Sequence, residues 1–249
     1  MLDFPLTLIA LIAATFFCAG LVKGVTGMGL PTVAMGVLGA LLSPVQAASL
    51  LLAPSLVTNV WQLLTGAQLR PLVKRLWPMM LLIVVGTFAG SALLTRADPK
   101  LATAGLGSAL VVYAAYTLFA KPLAIPARWE RSASPVVGLI TGLVTGATGV
   151  FVIPAVPYIQ SLSLDRDDLV QALGLSFTVS TLALAAGLFL QGSVPTGSLL
   201  TSLAAIAPAV LGMMVGQTLR QHISPTLFKK IFLSLLLLLG LEMVSRALV

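Results

Sequence analysis

Residues 20–27 read GLVKGVTG and residues 142–149 read GLVTGATG, identical at six of eight positions and 122 residues apart. Each octet lies in an apolar stretch, 4–43 or 135–163, that glycines interrupt. A single helix over 135–163 would be about 43 Å long, against roughly 30 Å of hydrocarbon in a bilayer. Split at Gly146–Gly149, it gives pieces of about 12 and 14 residues, each too short to cross alone. The octets therefore read as breaks in membrane helices. Backbone groups freed at membrane depth must then be satisfied by protein or by a water-filled cavity.

The likeness continues outward from the octets. SLVTN (55–59) falls on FTVST (177–181) at the same spacing, pairing Thr58 with Ser180 and Asn59 with Thr181. Gly86, Gly90 and Pro99 recur 126 residues later as Gly212, Gly216 and Pro225, and Pro78 recurs 130 residues later as Pro208. Asp98-Pro99 and Ser224-Pro225 each read as an N-cap followed by proline at the first helical position. The ordered series points to a duplicated unit. Residues 1–120 form a first transmembrane repeat and 135–249 a second, with the polar stretch KPLAIPARWERSAS (121–134) as a cytoplasmic linker.

Composition agrees. Of 249 residues, 58% are hydrophobic and 8% charged, whereas an ordinary soluble domain carries about 25% charged residues. Continuous apolar runs at about 47–66, 76–95, 101–120, 168–190, 197–219 and 227–248 are each near spanning length. A transmembrane β-barrel would instead show alternating segments of about ten residues. The net charge of +7 is spread over loops and not gathered on a wet face, so nucleic acid is not expected as a partner. The single Cys18 and single His222 leave neither a disulfide framework nor a zinc site. No cofactor and no metal are expected. Asp3 in place of a basic residue argues against a signal peptide at the start. The fold class is an all-α polytopic membrane protein of about 8–10 helical segments, each repeat a glycine-broken hairpin (re-entrant or paired-helix) plus three transmembrane helices.

Lys and Arg mark cytoplasmic loops. Arg70, Lys74 and Arg75 lie in one loop and Lys121, Arg128 and Arg131 in another, two helices apart. The cluster Arg220, Lys229 and Lys230 falls on the same side only if 135–163 enters and returns. Each repeat then has five helical pieces, the two repeats are inverted relative to one another, and both termini lie outside a multi-pass cell membrane.

Inverted repeats with broken helices are an arrangement of secondary transporters. Half-helix N-termini offer free N–H donors and positive partial charge, which favour an anion. Here these would come from about Met28–Thr32 and Val150–Pro154, with glycine allowing close approach at Gly27, Gly29 and Gly149. The candidate substrate residues in the first octet are Lys23, Gly24, Thr26, Gly27 and Gly29. Those in the second are Thr145, Gly146, Thr148 and Gly149. Polar stripes in the following helices add Ser55, Thr58 and Asn59, then Ser176, Ser180 and Thr181; Gln62 and Thr178 lie in the same stripes. Lys23 is an intramembrane charge, a functional residue by default, with snorkelling to an interface as the bland alternative. The hydroxyls can equally bond backbone or neighbouring helices. Gly86/Gly90 and Gly212/Gly216 read as helix-packing glycines. Glu242 and Arg246, at i,i+4, read as a surface pair, and Arg166 as interfacial. No buried acid remains for a proton relay, so a coupling proton would ride on the substrate, or a coupling cation would use carbonyls and hydroxyls.

Taken together, GLVKGVTGMGLP (20–31), GLVTGATGVFVIP (142–154), QALGLSFTVSTLALAAG (171–187) and VLGMMVGQTLRQHISPTLFKKIFLSLLLLLGL (210–241) resemble the sulfite exporter TauE/SafE family, also called the toluene sulfonate uptake permease family. The stretch GMGLP (27–31) departs from the family, which often has a further glycine there. The resemblance implies a permease for sulfite or an organosulfonate. Two alternatives stand beside it: a carrier of another small anion or a metal ion, and a non-transporting membrane subunit. An enzyme is disfavoured, because no buried nucleophile–base set is visible. Besides a small anionic substrate, the expected partner is the lipid bilayer, with homo-oligomerisation left open. Dry apolar packing around the glycine breaks would count against transport.

Overall fold

A computed structural model describes residues 5–121 and 123–248; Asp3, the residue weighed against a signal peptide, lies outside the described residues. Among the described residues the chain forms eleven helices and no strand: α1 (Leu6–Thr26), α2 (Leu30–Leu41), α3 (Pro44–Leu64), α4 (Leu69–Arg96), α5 (Pro99–Phe119), α6 (Ala127–Thr148), α7 (Ala155–Gln160), α8 (Arg166–Leu190), α9 (Thr196–Ala204), α10 (Ile206–Leu219) and α11 (Pro225–Leu248). Six segments are long and apolar enough to cross a bilayer: α1, α3, α4, α5, α8 and Gly197–Leu219, which joins α9 to α10. The last two are separated only by Ala205, so they make one bent element. Five pieces then fall on each side of the linker. Leu93, Leu101, Leu190 and Leu238 are among the large apolar side chains left facing outward, as a lipid-embedded bundle requires.

The two octets end their helices in the same way. Gly27 (φ 78°) and Gly149 (φ 71°) adopt left-handed backbone, and their N–H groups close onto the carbonyls of Lys23 and Thr145. The Thr148 hydroxyl donates to the Val144 carbonyl at 2.7 Å and accepts from the Val150 N–H at 3.2 Å. Thr26 repeats this, 2.8 Å from the Val22 carbonyl and accepting from the Met28 N–H at 3.3 Å. The shared Thr-Gly dipeptide is thus the stop signal, a threonine bonding back along the helix and a glycine supplying positive φ.

The earlier glycines of each octet remain helical. A Cβ on Gly20 or Gly24 would lie 2.1 Å from the Ala209 carbonyl oxygen or 2.2 Å from that of Met213; one on Gly142 or Gly146 would lie 2.3 Å from the carbonyl oxygens of Ile83 or Thr87. Gly86, Gly90, Gly212 and Gly216 return the contact from the opposite helices at 2.0–2.4 Å. Residue numbers rise together on both sides, so α1 runs parallel to α10, and α4 parallel to α6. These are the small-residue crossings expected where backbones touch.

Each major helix pair joins one half of the chain to the other: α4 with α6, α1 with α10, α5 with α11, and α3 with α8. The halves are interleaved and not laid side by side. The pair α1/α10 and the pair α6/α4 are also counterparts under the sequence repeat. At the centre α3 and α8 run antiparallel, Ser55 beside Thr181 and Gln62 beside Val170.

Two readings change. The pieces on either side of the breaks are unequal, because α1 (21 residues) and α6 (22 residues) are of spanning length, and only α2 and α7 are short. The stretch read as a loop over 121–134 is helical from Ala127 onward, through Pro135. A bidentate pair holds this protruding end of α6: Arg75 donates to Glu130 from Nε (2.6 Å) and Nη2 (2.8 Å). Glu242 pairs with Arg246 on the exposed face of α11, Asp98 caps α5 through the Lys100 N–H, and Ser224 accepts from the Leu227 N–H at 3.4 Å.

Pro54 interrupts α3. Proline has no N–H for the carbonyl one turn earlier, here that of Leu50. Ser202 of α9 takes over, donating to the Leu50 carbonyl at 2.8 Å and accepting from the Ala53 N–H at 3.1 Å. Ser202→Ala leaves the Leu50 carbonyl without this donor in a buried site, at a cost of about 1–3 kcal/mol. Thermal unfolding in detergent, with exposed Thr218→Ala beside it, checks this: the Ser202 variant should melt earlier and the Thr218 variant should match wild type.

Candidate functional site

Lys23 is buried, 3% exposed. Its ammonium donates to Thr58 Oγ1 at 3.2 Å and to Asn59 Oδ1. Asn59 Nδ2 in turn donates to Ser55 Oγ (3.0 Å) and Thr181 Oγ1 (3.2 Å). Thr58 and Thr181 pass their own hydroxyl protons back to the carbonyls of Pro54 (2.8 Å) and Phe177 (2.7 Å). The network joins α1, α3 and α8 and uses five of the residues singled out from sequence. Among the described residues no carboxylate touches Lys23, and the ion pairs are Arg75–Glu130 and Arg246–Glu242. When protonated, a buried lysine held only by neutral oxygens carries an unbalanced positive charge, which is expensive in such a setting.

Lys23 and Gly24 border a cavity of about 90 Å³, bounded further by Gly27, Gln62, Gln217 and Arg220. Gln62 is fixed by donating to the carbonyls of Gly27 (2.9 Å) and Val170 (3.0 Å), so it ties the turn at the end of α1 to α8. A water needs roughly 10–15 Å³ of such space. The cavity therefore suits a small anion with part of its hydration shell.

The remaining sequence candidates divide. Thr26 and Gly27 border a neighbouring cavity together with Met28. Gly29 (φ 102°) forms the N-cap of α2 and packs beside Phe232. The second break is packed with apolar side chains: Val150, Phe151 and Val152 are fully buried, Phe151 packs on Phe177 at 5.6 Å, and Met35 presses on Gly149. Thr145 bonds the Thr141 carbonyl at 2.7 Å, Thr148 closes its own turn, and Gly146 packs on α4. Ser176 and Ser180 are buried without hydrogen-bond partners. The first break thus borders cavities and the second is closed off by apolar side chains, where the octets alone suggested two equivalent ones. Gln217 and Arg220 went unnoticed as site residues, since nothing in their local sequence marks them; they reach the cavity because α10 packs on α1. Gln62 was legible as the next polar residue of the Asn59 stripe, one helical turn on.

The family profile described as sulfite exporter TauE/SafE matches residues 12–243. The chain belongs to the sulfite exporter TauE/SafE family. No individual characterised protein and no solved structure matches it. Membership makes this TauE/SafE chain a multi-pass membrane transporter of the sulfite and sulfur-anion type, in agreement with its apolar spans.

Proposed function

We propose that this chain is a secondary carrier of a small sulfur oxyanion, sulfite or a compact sulfonate, bound at Lys23 within the Gly24–Gly27–Gln62 cavity. The observation that carries this reading is the buried Lys23 ammonium, which borders a cavity and has no carboxylate beside it. An arriving anion supplies the missing charge. The same ammonium repels a metal cation, which disfavours the cation-carrier alternative. Asn59 and Thr58 position the ammonium, and Ser55 and Thr181 position Asn59.

Alternating access completes the reading. The matched pairs α1/α10 and α6/α4 support inverted repeats whose two breaks serve the two faces of the membrane, one open while the other is closed. Thr145, Thr148, Gly149, Ser176 and Ser180 then form the closed counterpart of the open site. The basic loops support a cytoplasmic open side with both termini outside the cell membrane, and the substrate itself carries any coupling proton.

Uptake of labelled sulfite into proteoliposomes tests the proposal. The expected result is protein-dependent flux, inhibited by unlabelled sulfite and by methanesulfonate but about tenfold less by toluenesulfonate, whose ring exceeds the cavity. Flux no greater than in protein-free liposomes for every sulfur oxyanion would overturn it.

A further inference from the structure

Arg166, Arg220 and Lys229 line a second space, of about 340 Å³, next to the Lys23 cavity, together with Thr26 and Gln160. Arg166 and Arg220 also face a contiguous space of about 500 Å³ beside Gln217 and Gln221. Arg220 borders the Lys23 cavity as well. The three cations come from different elements: Arg166 opens α8, Arg220 follows α10, and Lys229 lies in the second turn of α11. Among the described residues, no Asp or Glu lines any of these spaces. The contrast with Arg75 and Arg246 is direct, since each of those has its own carboxylate. Burial, and then the neighbouring charge of Arg166, hold the Arg220 guanidinium below its ordinary range. Two guanidiniums kept near one another with no acid between them repel, and the arrangement becomes favourable once an anion bridges them. Guanidinium is also the side chain whose planar fork matches an oxyanion in bidentate fashion.

We propose that Arg166 and Arg220, assisted by Lys229, form a second oxyanion site at the mouth, distinct from Lys23, with Arg220 belonging to both. This rests on reading the Lys23 cavity as the anion path. The mouth site gathers a small oxyanion from solution and presents it to the inner site through Arg220. The same chemistry fits a dissolved substrate and the phosphate of an anionic lipid headgroup.

The test is ligand protection of the purified full-length protein in detergent. Sulfate is titrated at constant ionic strength against chloride, and thermal unfolding is followed. Sulfate is expected to raise the midpoint of wild type and of Lys23→Gln alike. In Arg166→Gln/Arg220→Gln the sulfate concentration needed should rise about tenfold or more, the loss of a charge-assisted contact, and Arg220→Lys should recover part of it. The single Arg166→Gln, at an exposed position, serves should the double variant not fold. A parallel titration with phosphatidylglycerol separates the sources. Protection by sulfate that needs both arginines assigns the site to the dissolved anion, and protection by the lipid alone that needs them assigns it to a headgroup. A double variant that responds to both probes as wild type does overturns the site. If sulfite flux is absent but arginine-dependent protection persists, the transport reading fails and the mouth site stands. If flux is present and protection ignores the arginines, only the mouth site fails.

Discussion

Lys23→Gln is expected to reduce protein-dependent sulfite flux by roughly 10–100-fold while leaving the protein at least as stable as wild type. The first figure follows from the loss of a charge-assisted hydrogen bond to the anion, about 1.5–3 kcal/mol, with tenfold per 1.4 kcal/mol. The second follows from the setting of Lys23, whose charge is held by Thr58 and Asn59 with no acid to balance it. Removing an uncompensated buried charge relieves desolvation, and glutamine can still donate to Asn59. The two measurements together separate roles: a residue that merely holds helices together would lower the melting temperature and the flux in step. Asn59→Ala should behave differently. It strips Lys23 of an acceptor and Ser55 and Thr181 of their shared donor, so both flux and melting temperature should fall. Lys23→Gln with wild-type flux at saturating and subsaturating sulfite would exclude Lys23 as the anion's partner.

The second large effect is expected at the glycine crossings. Gly212→Ala places a methyl 2.0 Å from the Phe17 carbonyl oxygen, and Gly146→Ala places one 2.3 Å from that of Thr87 and 2.6 Å from the Ser91 nitrogen. Backbone atoms of a packed helix have no rotamer to escape into, so the helices must separate along the seam. Overpacking of this kind costs about 1–3 kcal/mol or more, at roughly 2–4 °C per kcal/mol for a chain of this size. The expected fall in melting temperature is therefore about 5–10 °C for each. Gly105→Ala is the matched control, because its methyl would meet only the Thr148 Cγ2 atom at an ordinary 3.9 Å. Similar melting of all three variants would show that α1/α10 and α4/α6 do not touch backbone to backbone.

Much of this was legible in the residues. The spanning segments follow from apolar runs, and their ends moved by a few residues where Ser43, Asp98 and the Thr-Gly dipeptides supply caps and stops. Lys23 and Asn59 could each be flagged as polar groups in apolar helices, but their meeting could not, because it depends on how α1 settles against α3. Residues 127–134 looked like loop by composition; they continue α6 as helix, with Glu130 bonded to Arg75 across to α4. The sealed second break has its cause in Val150, Phe151 and Val152, which fill the space that Met28 and Gly29 leave open after the first. Gln217 and Arg220 belong to a helix of the other half, and local sequence cannot announce a neighbour that distant.

The interleaving of the two halves bears on how the protein is made. While α1 to α5 are already inserted and the remainder is still in synthesis, the bare glycine faces of α1 and α4 have only lipid against them, since their partners α10 and α6 belong to the later half. Translation of α6 lets the α4 seam close first, and the α1 seam must wait for α10. Assembly is thus ordered by the ribosome, and the Lys23 cavity, bounded by Arg220 and Gln217, cannot form before α10 has been made.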